Sequence, residues 1–394
     1  MADSDKVEKP AKPVSSFENV ENYLKSKYEI RTNVVSNKIE YRNIGETEYK
    51  NLNPDNLYIE LQKGGYRFSQ NNLAALLRSS FVETYDPIQE YFDALPVWDG
   101  KADHIAILCS HIHVKDQSRF NNHFRKMLVR SIACSLGKSF NKHAFVLIGG
   151  QNSGKTTFTR WLCPDRLSNY IAENISTDKD SLIALAENMF IVLDELATLQ
   201  KAELNALKSF FTKDKIKVRR PYDRGTSEGV RRANFLGSTN KEEFLSDETG
   251  SVRWLCFEVE NIVFDYSTLC NIDEIWSQAY ALFKQDFKYQ LTQSELVENE
   301  IRNSDFRQLS NESELIQKHF APGSPEDYDV RLSATDIAKL LADGYKSFKL
   351  TNRQNIGKAL TSLGFIKENV RDENYNHQPR KLYYIKYLAP FTTL

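Results

Sequence analysis

Short apolar runs alternate with helix-like stretches through the middle of the chain. Between about residues 143 and 262, segments such as 145–148, 189–193 and 254–259 have the apolar pattern of buried strands and are separated by stretches of helical periodicity. Strands that are apolar throughout and alternate with helices are typical of a parallel sheet covered on both faces. The pattern therefore predicts an α/β domain, which we place over residues 141–290.

Smaller units precede this domain. Residues 1–16 are rich in lysine, proline and serine and predict a disordered tail. Residues 17–85 predict a small α+β domain with strands over 28–35 and 38–42 around a short turn. Residues 86–140 are mainly helical in pattern and predict a collar beneath the α/β domain.

The C-terminal region predicts a helical linker over 291–330 and a winged-helix-like domain over 331–394, in which two helices precede two strands. From residue 331 to residue 386 there are eleven basic residues against five acidic ones. Arg353 and Lys358 lie on the presumed recognition helix and are candidate DNA contacts. A winged helix used only for protein contacts is the alternative.

Composition narrows the class of protein. The 394 residues are 41% hydrophobic and 27% charged, which is ordinary for a soluble globular protein of two or three domains. The 52 basic residues balance 53 acidic ones, so any nucleic-acid binding must come from local patches. Five scattered cysteines without a C-x-x-C pair indicate reduced thiols and a cytoplasmic protein, and no apolar run of about 20 residues predicts a membrane span.

A phosphate loop is the most specific motif. Residues 145–156 read FVLIGGQNSGKT, an apolar strand that runs into G-x-x-x-x-G-K-[ST], with a helix-like stretch after it. In such a loop the backbone N–H groups surround phosphates, Lys155 reaches the β- and γ-phosphates of ATP, and the Thr156 hydroxyl binds Mg²⁺. The predicted nucleotide-binding residues are Gly149, Gly150, Gln151, Asn152, Ser153, Gly154, Lys155, Thr156 and Thr157. An ordinary glycine-rich turn is the alternative.

Two acids end the next long apolar run, Met189 to Leu193. We assign Asp194 to Mg²⁺ and Glu195 to activation of the attacking water, because a second acid beside the metal-binding acid suits hydrolysis. A solvated pair of acids at the end of a strand is the alternative.

Two further residues have the chemistry of an ATP-hydrolysing site. Asn240 ends a strand pattern and is a candidate for orienting the attacking water or for contacting the γ-phosphate. Arg253, at the start of another strand, is a candidate for stabilising transition-state charge on a neighbouring subunit's nucleotide. An arginine that pairs with an acid across the sheet is the alternative.

A basic stretch lies between the acid pair and Asn240. From Lys213 to Arg232, eight basic residues stand against three acids, and alternation with apolar residues predicts a hairpin with one cationic face. Tyr222 is a candidate for stacking on a base. The remaining candidate DNA contacts in this stretch are Lys213, Lys215, Lys217, Arg219, Arg220 and Arg224. A solvated charged surface is the alternative.

The ordered set GGQNSGKTTF, FIVLDEL, VRRPY, GSTN and FLSDETGSVRW resembles the virulence-associated protein E family of phage and mobile-element proteins, over about residues 17–290. The resemblance implies an AAA+ ATPase related to superfamily 3 helicases, which acts as a homohexameric DNA motor beside a separate primase. It also implies that Arg219 is a candidate for the ATP site or the DNA pore. The family often has Arg-Arg-Phe where this chain has Val252-Arg253-Trp254, which leaves Arg253 alone for the arginine role.

Two functional hypotheses follow. The first is a ring-shaped DNA helicase or translocase, driven by ATP and Mg²⁺, that acts in the replication of a phage or mobile element. The second is a nucleotide-gated switch that binds DNA and recruits a replication or defence partner without unwinding. A kinase for a small molecule is disfavoured by the Asp194-Glu195 pair, since a kinase has to exclude water.

Overall fold

The computed structural model describes residues 14–175, 179–218, 227–241, 243–245, 251–307, 310–345, 353–371 and 379–388. Within these ranges the protein has a mixed α/β fold, and its strands form sheets of four, two, six and four strands. The tail predicted over 1–16 lies outside the described residues up to residue 13, and the first helix begins at Ser16.

The N-terminal unit contains a small sheet and three helices around its own apolar core. Its first two strands pair antiparallel, as the alternation of the sequence predicts, while its last strand joins the first in parallel. In chain order the elements are α1 (Ser16–Lys27), β1 (Tyr28–Asn33), β2 (Ile39–Asn43), β3 (Lys50–Asn51), α2 (Pro54–Lys63), α3 (Gln70–Leu77) and β4 (Glu83–Tyr85).

The region predicted as a collar holds α4 (Pro87–Asp93), α5 (His104–Ser110) and α6 (Gln117–Ser135), with an unpredicted strand β5 (Ile112–Val114). Each of the three helices begins after an aspartate whose carboxylate accepts backbone N–H groups of the first turn. The helix α6 is buried along its C-terminal half and packs against the central sheet, so helix and sheet share one core.

The central sheet is the parallel sheet that the apolar runs predict. Its order is β5-β12-β6-β11-β8-β7, in which only β5 is antiparallel to its neighbour. One apolar cluster covers each face. The elements of this region are β6 (Ala144–Ile148), α7 (Lys155–Trp161), β7 (Ile171–Glu173), α8 (Lys179–Glu187), β8 (Phe190–Leu193), α9 (Lys201–Thr212), β9 (Lys215–Val218), β10 (Ser227–Val230), β11 (Asn234–Thr239) and β12 (Trp254–Ile262).

The remaining elements continue past the sheet. The helix α12 packs against the amino end of β12 through Asn299 and Asn303, whose amides both donate to the Trp254 carbonyl. The last elements form a separate core with a four-stranded sheet. In chain order they are α10 (Tyr266–Leu269), α11 (Ile272–Lys284), α12 (Gln293–Asn303), α13 (Asn311–His319), β13 (Phe320–Pro322), β14 (Val330–Ser333), α14 (Ala334–Gly344), α15 (Arg353–Ser362), β15 (Lys367–Arg371) and β16 (Pro379–Tyr387).

None of the helices within the described ranges combines the length and the apolar character needed to span a bilayer.

Two histidines are buried beneath the central sheet. Burial, reinforced by the charge of Arg130, lowers the pKa of His143 to about 2, and neither of its ring nitrogens has a hydrogen-bond partner among the described residues. Burial, reinforced by Arg119, lowers the pKa of His123 to about 4. Both rings are therefore neutral in the folded protein at neutral pH.

These two histidines predict a loss of stability in mild acid. A histidine in the unfolded chain takes up a proton near pH 6.5. Below that pH the unfolded chain therefore binds more protons than the folded chain, in which these two rings stay neutral. The free energy of unfolding should therefore fall by about 1.4 kcal/mol per pH unit for each buried histidine. Urea unfolding between pH 7 and pH 5 measures this slope, which His143→Leu should roughly halve. An unchanged slope in His143→Leu contradicts the assignment.

Candidate functional site

The carboxyl ends of β6, β8 and β11 meet at one edge of the central sheet. There the predicted phosphate loop, the predicted acid pair and the predicted Asn240 line a single cleft of about 270 Å³. The side chains come from three neighbouring strands, so the parallel pairing brings together residues that are far apart in sequence. The lining residues are Gln151, Asn152, Ser153, Gly154, Lys155, Thr156, Thr157, Asp194, Glu195, Ser238, Thr239 and Asn240. Gly149 and Gly150 lie beside the cleft, where their carbonyls hold Lys155.

Two glycines give the loop its course. A Cβ on Gly149 would lie 2.6 Å from the Val259 carbonyl oxygen, so only glycine allows the loop to leave β6 against β12. Gly154 has a φ of +81° directly before α7 and carries no side chain that could cap the helix. The first N–H groups of α7 therefore face the loop, as an anion site requires.

Lys155 is held inside the loop. Its ammonium donates to the carbonyls of Gly149 and Gly150 at 2.9 and 2.7 Å, and to the Ser153 hydroxyl at 2.9 Å. Burial lowers the pKa of Lys155, while the charge of Asp194 acts in the opposite direction. The side chain is thus an oriented cation at the centre of the cleft.

Three oxygen-bearing side chains form a hydrogen-bonded triangle. The hydroxyls of Thr156 and Ser238 both donate to Oδ1 of Asp194, and the two hydroxyls lie 3.1 Å apart. Burial raises the pKa of Asp194, but the bonds from Ser238 and Thr156 outweigh it, and the pKa lies below its ordinary value. The carboxylate is therefore ionised at neutral pH.

This set of donors fits a small hard cation. Mg²⁺ prefers oxygen ligands and is usually held by one or two carboxylates together with substrate phosphates. Asp194 and Thr156 are the residues that would hold it. Sequence reasoning missed Ser238, whose signal was a polar residue at the end of an otherwise apolar strand.

The acid pair sits on a strained turn. Glu195 adopts a left-handed φ of 51°, and Asn174, at the end of β7, has a φ of 46°. The Asn174 side-chain carbonyl accepts the Asp194 backbone N–H at 3.0 Å. Strained backbone of this kind is concentrated at functional sites. Glu195 and Asn240 are both exposed to solvent in the cleft, and sequence reasoning missed Asn174.

Arg253 lies at the opposite end of the sheet. Trp254 is in register with Ala144, the first residue of β6, whereas the phosphate loop follows Ile148, the last residue. At about 3.3 Å per residue the two ends of β6 are roughly 13 Å apart. Arg253 therefore stands apart from the phosphate loop of its own chain.

The basic stretch forms the predicted hairpin. β9 and β10 pair antiparallel, Ile216 is buried, and Lys215 and Lys217 are exposed on the other face of β9. Lys213 is half-buried at the C-cap of α9. Arg219, Arg220, Tyr222 and Arg224 lie outside the described residues.

Two basic residues that the sequence counted in this stretch have structural contacts. Arg231 is buried and donates to the Asn141 carbonyl, and Arg232 pairs with Asp86 at 2.8 Å. The local surplus of exposed charge is therefore smaller than the sequence indicates.

The C-terminal candidates lie on α15. Lys358 is exposed on this helix, and Arg353 is its first residue. Arg380 of β16 instead reaches the N-terminus of α14, 3.3 Å from the Ser333 hydroxyl and 3.6 Å from the Asp336 carboxylate.

Comparison with known proteins gives a family match and a set of distant structures. The model of the virulence-associated protein E-like domain matches residues 92–308, more than half of the chain. No curated protein matches the chain.

Two solved apo structures of the NrS-1 C-terminal region (305–718) are similar over nearly all of both chains. The first has 13% identity and a TM-score of 0.47, covering 96% of this chain and 100% of that one. The second, the A form, has 12% identity and a TM-score of 0.46, covering 95% and 99%. A likeness of this size carries no functional argument.

The glycines of the loop provide a matched test of its geometry. Gly154→Ala combines a left-handed φ with a contact of 2.6 Å to the Phe264 ring, whereas a Cβ on Gly150 meets nothing within 4 Å. We expect Gly154→Ala to lower the free energy of unfolding by about 1–3 kcal/mol and Gly150→Ala to change it by less than about 0.5 kcal/mol. Urea denaturation measures both, and equal effects of the two substitutions would contradict the described loop.

Proposed function

The chain belongs to the virulence-associated protein E-like family, and we propose that it is an ATP-driven DNA helicase or translocase of AAA+, superfamily 3 type. It works as a homohexameric ring in the replication of a phage or mobile element, with priming supplied by a separate primase. The observation that carries the proposal is the convergence of Lys155, Thr156, Asp194 and Glu195 in one cleft.

Each residue of the cleft has a role in hydrolysis. The loop backbone and Lys155 bind and neutralise the β- and γ-phosphates of ATP. Thr156 and Asp194 would hold Mg²⁺, which would supply positive charge against the phosphate oxygens. Glu195 accepts the proton of the water that attacks the γ-phosphorus while the bond to ADP breaks, and Asn240 orients that water.

The order of the strands in the sheet supports these roles. Because β11 lies between β6 and β8, its polar end lies between the strand that leads into the phosphate loop and the strand that leads into the acid pair. Ser238 then reaches Asp194, and Asn240 and Glu195 line the same cleft. A kinase would have to close this exposed edge against water, whereas hydrolysis requires water to enter.

The position of Arg253 supports action on a neighbouring subunit. It stands at the amino end of the strands, so it completes a site only when another copy brings its phosphate loop to that end. The helix α12 supports a contact there as well. It directs Asn299 and Asn303 inward onto Trp254 and leaves Val297 and Ile301 52% and 66% exposed.

Two basic elements support DNA binding. The β9–β10 hairpin exposes Lys215 and Lys217 on one face, and the charge and spacing suit a backbone contact in a pore. The order of β14, α14, α15, β15 and β16 supports a winged helix that presents Lys358 to DNA.

The arginine assignment predicts complementation between two inactive variants. Lys155→Ala and Arg253→Ala should each lower kcat about 1,000-fold or more, because one loses the phosphate cation and the other the neighbour's charge. When the two are mixed as dissociated subunits before nucleotide is added, about a quarter of the sites pair an intact loop with an intact arginine. ATP hydrolysis should return in the mixture.

The control is Lys142→Ala. Lys142 is an exposed cation just before β6, at the same end of the sheet as Arg253, and its variant should stay active. A mixture that remains inactive, or an Arg253→Ala protein with normal kcat, contradicts action in trans. A wild-type protein that stays monomeric with ATP and DNA and displaces no strand would favour the nucleotide-gated switch.

The hairpin predicts a salt-dependent defect in DNA binding. Lys215→Ala/Lys217→Ala should weaken single-stranded DNA binding and lower the slope of log K against log salt by about 0.7 for each lost phosphate contact. Hydrolysis without DNA should be unchanged. Fluorescence anisotropy over a salt series measures the slope, and Lys38→Ala/Lys63→Ala on the N-terminal unit is the charge-matched control. Equal slopes for the two double variants would remove the hairpin from the DNA path.

A further inference from the structure

A phenylalanine lies on the rim of the phosphate loop and has no part in the hydrolytic roles above. Phe264 lies two residues after the end of β12 and is 55% exposed. A Cβ placed on Gly154 would lie 2.6 Å from both Cε1 and Cζ of its ring. The ring therefore rests against the loop backbone at a residue that lines the cleft.

The turn that carries this ring is fixed on both sides. The Val263 N–H donates to the His111 carbonyl at 2.9 Å, and His111 Nδ1 lies 2.8 Å from the Asp265 carboxylate. The Ser267 hydroxyl donates to the Phe264 carbonyl at 3.2 Å. Phe264 is thus presented by an anchored turn.

Tyr266, two residues after Phe264, ties the same turn to the helix of the phosphate loop. Tyr266 is buried, and its ring packs edge-on against Phe158 and Trp161 of α7, with centroids 5.3 and 5.0 Å away. Because α7 begins at Lys155, the aromatic ring of Phe264 and the phosphate-binding lysine are held in one rigid frame. A pre-positioned aromatic face loses little conformational entropy on binding.

A single exposed apolar residue needs no explanation on its own. Phe264 differs because its exposed ring borders a phosphate site at the point where the loop turns into α7. A triphosphate seated on Lys155 and Thr156 leaves the ribose and base to emerge at the rim of the loop. An aromatic ring there offers the apolar, planar surface that a nucleobase prefers.

We propose that Phe264 is the platform on which the base of the bound nucleotide stacks. The proposal rests on the proposed function, since it specifies how the same site takes a nucleoside triphosphate in preference to a bare polyphosphate. Stacking uses the face of a base and leaves its hydrogen-bonding edge unread, so the platform tolerates different bases. Phe264 therefore contributes affinity for the nucleoside and little choice between adenine and guanine.

Three probes separate a base contact from a loop contact. Binding of ATP, GTP and inorganic triphosphate, each with Mg²⁺, is measured by calorimetry on the full chain. Phe264→Ala should weaken ATP and GTP by a similar factor, on the order of 10-fold, because both lose the stacking surface. Inorganic triphosphate, which has no base, should bind as tightly as it binds the wild type.

Two further variants are the controls. Phe264→Trp keeps an aromatic face and should retain ATP binding, and Leu269→Ala removes a 67% exposed apolar residue on α10 without effect. Equal weakening of ATP and inorganic triphosphate in Phe264→Ala would mean that the ring only shapes the loop, and unchanged ATP binding would mean that it touches no base. Either result overturns the inference and leaves the proposed function standing. A wild-type protein that binds neither ATP nor triphosphate overturns the proposed function and this inference with it.

Discussion

The pairing register of β6, β8 and β11 is the constraint on which the candidate site depends. Side chains alternate between the two faces of a strand, so a slip of one residue would send the Ser238 hydroxyl to the far side of the sheet. In the observed register Gly237 pairs with Leu193, which places Ser238 beside Asp194. The triangle of Thr156, Asp194 and Ser238 exists only because three strands keep this alignment.

The apolar packing on both faces maintains that register. Alternate residues of β6 enter different clusters: Phe145 and Leu147 pack with α6, while Ala144, Val146 and Ile148 pack against the opposite face. Any slip would exchange these two sets and leave neither face matched to its helices. The free energy that holds the polar site together is therefore supplied mostly by apolar burial several residues away.

Contiguous features of the sequence predicted the phosphate loop, the acid pair and the strands that carry them, because each of these motifs is a short continuous segment that determines its own local geometry. Contacts between distant segments were not predictable in the same way. Ser238 and Asn174 act on Asp194 only after strands pair. Arg231 and Arg232 belong to a stretch whose composition predicts a basic surface. In the folded protein Arg231 is buried and Arg232 pairs with Asp86. Phe264 has no signal in the sequence, because its contact with Gly154 forms only when β12 pairs in the sheet.

In the proposed function, the two ends of the central sheet carry complementary halves of one ATP site. The phosphate loop, Asp194 and Glu195 occupy the carboxyl end of the strands, and Arg253 occupies the amino end. The length of β6 separates these two ends, so Arg253 stands apart from the phosphate loop of its own copy. An assembly that joins them must place the amino end of one copy on the carboxyl end of the next. Such a contact uses two different surfaces, and repeating it generates either a closed ring or an open filament. The rotation between successive copies decides between these two, and the proposed DNA-binding role of the β9–β10 hairpin favours the closed form, because a ring would gather the hairpins of all copies around one strand of DNA.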